Sequence, residues 1–110
     1  MQMDIVYGAD VNAWTITFRE VELRTSTDVA LWQRALDGLL ESNLHRQRAY
    51  LLLDMGDFVL NRKLADEYQK AAKTIKNKYA FGMVPYGRRD LGQLPDRRTA
   101  LAALEALRQL

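Results

Sequence analysis

Cysteine is absent from the 110-residue chain, histidine occurs once and proline only twice. Without cysteine there is no disulfide, no thiolate metal ligand and no thiol nucleophile, which fits a reducing compartment. The single histidine, His45, is followed by Arg46 and Arg48 in a polar stretch, so a histidine metal site or a catalytic relay lacks its partners. The two serines, Ser26 and Ser42, fall at expected helix boundaries, where hydroxyls act as caps, and neither stands in a Gly-x-Ser-x-Gly setting. No phosphate-cradling glycine loop is present. No apolar run approaches the ~20 residues of a membrane span, and residues 1–7 carry no cationic segment followed by an apolar stretch. These absences set the first expectation: a soluble, cytoplasmic protein that is not an enzyme, holds no cofactor or metal, and works by binding.

What is present describes a folded chain. Hydrophobic residues make up 48% and charged residues 27%, a globular rather than a disordered balance, and the length suits one domain over residues 1–110. The formal charge of +2 is a small excess with the two signs interleaved along the chain, so nucleic acid is not the expected partner.

Residues 4–7 and 13–18 read as short strands around the turn-forming segment 8–12. In the second, Trp14, Ile16 and Phe18 alternate with Thr15 and Thr17, as on a half-buried strand, so the pair predicts a hairpin. Residues 20–23 either extend this strand or bend away. Thr27 is the expected cap of a first helix running to about Ser42. Its apolar stripe combines Leu31, Ala35 and Leu39 with Trp32, Leu36 and Leu40. The apolar run 49–55 is the expected central strand, covered on both faces. Asn61 can cap a second helix with Leu64, Tyr68, Ala71, Ala72, Ile75 and Tyr79 on one stripe. A strand over 80–85, a loop over 86–92 and a helix from Asp96 close the chain. The order β-β-α-β-α-β-α implies an α/β fold: a small mixed sheet of about four strands, an N-terminal hairpin and then parallel strands, with three helices. Trp14 and Trp32 read as core aromatics.

This order, with Tyr50-Leu51-Leu52-Leu53-Asp54-Met55 leading through a short loop into a helix, resembles the STAS superfamily typified by anti-anti-sigma factors. The stretch Leu53-Asp54-Met55 is similar to the family's Leu-Asp-Leu-like strand end, and residues 96–104 look like the closing helix of STAS-like bacterial proteins. The resemblance implies a regulatory module whose protein partner, such as a kinase or regulator, docks on the loop and helix start after that strand. In this chain those positions are Gly56, Asp57, Phe58, Asn61, Arg62 and Lys63, with Phe58 or Val59 as an apolar anchor if exposed. Phosphoswitch members carry a serine or threonine at that helix start. None occurs here between Ser42 and Thr74, so control by phosphorylation at that site is not expected.

Two other readings compete. Asp54 and Asp57 lie at a strand C-terminus, where open α/β sheets bind ligands, and with Arg88, Arg89, Arg97 and Arg98 they would suit a phosphorylated ligand or nucleotide with magnesium. Against this, no third carboxylate accompanies them, and both aspartates suit main-chain capping. The third reading is an immunity protein or a structural homodimer. Lys63, Lys70, Lys73 and Lys76 share the polar side of the second helix with Asp66 and Glu67, which reads as a solvated surface.

Overall fold

The computed structural model describes residues 1–110 and has the expected order of elements. Strands β1 (Gln2–Gly8) and β2 (Ala13–Arg19) form the antiparallel hairpin, with Ile5 opposite Ile16. Then come β3 (Val21–Leu23), α1 (Ser26–Leu44), β4 (Ala49–Asp54), β5 (Phe58–Leu60), a 3-10 turn at Arg62–Leu64 and α2 (Ala65–Tyr79). The chain ends with β6 (Ala80–Tyr86), a second 3-10 turn at Arg89–Leu91 and α3 (Arg97–Arg108). The main sheet has the order β1-β2-β4-β6, mixed because only the hairpin is antiparallel, while β3 and β5 make a small parallel ribbon of their own. No helix is long and apolar enough to cross a membrane.

Residues 20–23 bend away. Glu20 adopts φ 53, in the left-handed region, which ends β2 and sends β3 out of the sheet. Its partner β5 lies within a segment expected to be loop; three residues are too few for periodicity to announce a strand.

Helix α1 starts two residues earlier than expected. The cap is Thr25, whose Oγ1 accepts from the Asp28 N–H at 3.2 Å while the Asp28 carboxylate accepts from the Thr25 N–H at 3.1 Å, a reciprocal capping box. Val29, Trp32, Leu36, Leu40 and Leu44 are buried at three- and four-residue steps; Leu31 and Ala35, expected on the stripe, lie outside, Leu31 half exposed. The buried face is narrower than the sequence stripe because α2 and the sheet meet only one side of the helix.

The alternation along β4 explains its unbroken apolar run. Leu51 and Leu53 pack into the core beneath α1 and α2, and Leu52 packs against Ala100 and Leu104 of α3 on the other face. All three leucines are almost completely buried, each worth about 1.5–3 kcal/mol relative to exposure. The larger core closes around Phe18, Trp32, Phe58 and Tyr68, whose ring centroids stand 5.1–6.0 Å apart. The Trp32 Nε1 there has no hydrogen-bond partner, a cost of about 1–3 kcal/mol that this packing must offset.

Candidate functional site

The parallel strands β2, β4 and β6 bring their C-terminal ends to one side of the molecule, and the loops that follow meet there. Asp54 ends β4 beside Tyr86 of β6 and Thr17 of β2. Its Oδ1 accepts from the Gly56 N–H at 3.1 Å, forming a tight turn. Over this turn lies Gly87, at φ +105; a Cβ there would stand 3.0 Å from the Gly56 nitrogen, so only glycine lets the two loops approach so closely.

Asp57 faces a different task. Its Oδ2 accepts from the Glu20 N–H at 2.8 Å and its carbonyl from the Val21 N–H at 3.3 Å, which holds the left-handed turn between β2 and β3. Both aspartates therefore serve main-chain donors. No group of three His, Asp or Glu side chains is placed to hold a metal ion.

The predicted partner-binding residues divide sharply. Phe58 does not belong with them: it is fully buried between Phe18, Trp32 and Tyr68, and so cannot anchor a partner. The pairing of β5 with β3 turns it inward and its neighbour Val59 outward, to 47% exposure. Asn61 is exposed but committed: its Oδ1 accepts from the Lys63 N–H at 3.1 Å, and its main chain bonds to Leu23 and Leu64. It caps the 3-10 turn and not α2 itself, whose first residue follows that turn. Gly56, Asp57, Arg62 and Lys63 are exposed. The side chains of Arg62 and Lys63 make no hydrogen bond or ion pair within the fold.

The four arginines are drawn to three places. Arg88 Nη1 donates to the Phe58 carbonyl, and its Nε and Nη2 donate to Asp90 at 2.8 and 2.6 Å. Arg97, at the start of α3, reaches across the sheet to donate to Thr15 Oγ1 at 2.6 Å. Arg89 and Arg98 lie near Asp96, whose carboxyl is held below its usual range first by the Thr99 N–H and hydroxyl and then by these two charges. Arg97 also joins Asp54 around Tyr86. Burial and the Asp54 carboxylate push the Tyr86 hydroxyl up, and Arg97 opposes them. Of this polar cluster, the sequence reading joins Asp54 and Arg97 but not Thr15 and Tyr86, whose places depend on the register of three strands.

Comparison of the chain with family models, curated proteins and solved structures gives no match.

Proposed function

We propose that the protein is a non-enzymatic, STAS-like interaction module that docks a protein partner on the ledge after β4. The observation that carries this reading is a pair of cations and an apolar side chain, Arg62, Lys63 and Val59, exposed on a segment fixed to β3, the two cations making no hydrogen bond or ion pair within the fold. Such a ledge loses little conformational entropy on docking, because β5 and the Asn61 cap already hold its backbone. The absence of serine and threonine from this segment makes the docking constitutive at this site, released by competition and not by phosphate.

The phosphate-ligand alternative gains less support. Asp54, Asp57, Arg88 and Arg97 are each already engaged in a hydrogen bond within the fold. Affinity capture from cells expressing the protein, comparing wild type with Val59→Asp/Arg62→Glu/Lys63→Glu, tests the docking reading. A partner enriched by wild type and lost from the equally folded variant supports it; identical partner sets contradict it.

A further inference from the structure

Lys70, Lys73 and Lys76 recur every three residues on α2 and line one wall of a groove of about 670 Å³, floored by Leu53, Met83 and Pro85. No aspartate or glutamate lines this groove, and none of the three lysines makes an ion pair. The three lysines are exposed, as expected of a solvated helix face shared with Asp66 and Glu67. Glu67 turns toward α1, where it accepts from the Ser26 hydroxyl at 2.8 Å, and neither acid reaches the groove.

The other wall is the outer edge of β6, the last strand of the sheet. Its top is already occupied: Leu94 forms a parallel bridge with Tyr86, and its carbonyl accepts from the Gly87 N–H at 2.8 Å. Below that point the edge has no partner. The Tyr86 carbonyl points inward, accepting from the Met55 N–H, so strand alternation turns the N–H and C=O of Met83 outward, below the Pro85 carbonyl that Leu94 covers. At the lower end a register shift opposite Ala49 and Tyr50 makes Phe81 the extra residue of a bulge, its side chain 63% exposed against Tyr50.

We propose that this groove binds an extended acidic peptide segment of a partner protein, continuing the line of Leu94 along the edge of β6 with its carboxylates against Lys73 and Lys76. The main chain of the peptide pairs with Met83, and every second side chain faces α2, the apolar ones resting on Met83 and Pro85 and the acidic ones meeting the lysines, the usual division in strand addition between main-chain affinity and side-chain selection. Charge selects the occupant. A second copy of this chain, brought edge to edge, would set one row of lysines against another. Nucleic acid would satisfy the lysines but leave the apolar floor and the strand edge unused. Val59, Arg62 and Lys63 do not line this groove, although Arg62 lines an adjoining pocket that shares Tyr68, Gln69, Leu91 and Gln93 with it, and the proposal does not rest on the ledge.

The test is fluorescence anisotropy with a labelled peptide of the repeat Val-Ser-Glu-Ser, which sets valine and glutamate in turn on the face toward α2. Saturable binding that weakens as salt rises is expected, with Lys73→Glu/Lys76→Glu binding about tenfold more weakly. Methylating alternate peptide nitrogens, which leaves the protein untouched, is expected to abolish binding. The Val59→Asp variant, which disrupts the ledge's apolar contact with a single charge change, binds within about twofold of wild type, so failure here is distinct from failure of the ledge. The proposal is overturned by no binding, by equal binding of the repeat Val-Ser-Lys-Ser, by unchanged affinity in the lysine variant, or by tighter binding of a single-stranded oligonucleotide.

Discussion

Arg88 donates to the main-chain carbonyl of Phe58 while Asp90 grips the other side of the same guanidinium. One side chain thereby ties the loop after β6 to the strand after β4, so the two loops at the functional end form one rigid unit. Its position explains why a cluster that reads in sequence as a flexible anion trap is, at Arg88, a brace.

Replacing Arg88 by methionine keeps most of the stem packing and removes all three hydrogen bonds. The carbonyl of Phe58 is left without this donor, and a loss of about 1 kcal/mol is expected, seen as a fall in melting temperature of about 5 °C. Arg88→Lys does not restore it, because a single ammonium cannot reproduce the planar fork that reaches Phe58 and Asp90 together.

Two glycines with positive φ separate strain from crowding. Gly92, at φ +74, has open space where a Cβ would stand, so Gly92→Ala carries only the backbone term of about 1 kcal/mol. Gly87 adds the contact with Gly56, and Gly87→Ala is expected to cost about 1–3 kcal/mol. Urea unfolding of both variants checks the order; equal costs would show that the two loops are not packed as described.

Much of this architecture was readable because long elements declare themselves. The period-two pattern of β2, the leucines of β4 and the stripe of α2 each follow from a face that must be buried. What escaped reading was short or depended on register. Phe58 sits in a three-residue strand, where one position decides between core and surface, and its partner β3 lies 37 residues earlier, Val21 opposite Phe58. The Thr15–Arg97 contact links positions 82 apart and exists only because α3 lies across the sheet. The cap at Thr25 was open to reading, since Asp28 stands three residues on, but Thr27 competed in the same hydroxyl-rich segment.

The division between Phe58 and Val59 predicts contrasting truncations. Phe58→Ala empties a site packed by three aromatic rings and is expected to cost about 3–5 kcal/mol, enough to threaten folding. Val59→Ala, half exposed, is expected to stay within about 0.5 kcal/mol. Chemical denaturation of the two distinguishes a core residue from a docking residue.

Tyr79 sets a pH dependence at the α1–α2 contact. Its hydroxyl lies 2.7 Å from Asp37 Oδ1, with Lys78 Nζ 3.1 Å from the same oxygen. Burial and then the Asp37 hydrogen bond push its pKa from 10.0 to about 12. The folded state therefore favours the protonated phenol. The stabilisation is complete below pH 10 and is lost as the pH rises through about 12. Tyr79→Phe is expected to melt lower at neutral pH, by the equivalent of about 1 kcal/mol, and the gap should close between pH 10 and 12. A gap constant across that range would contradict the coupling.

The central claim is that the segment after β4 docks a partner while the aspartates beside it remain structural. Backbone amide chemical-shift mapping of the labelled protein against a purified captured partner tests it most directly. Shifts concentrated at Val59, Arg62 and Lys63, with Asp54, Tyr86 and Arg97 unmoved, are the predicted result; shifts centred on Asp54, Tyr86 and Arg97 would contradict it.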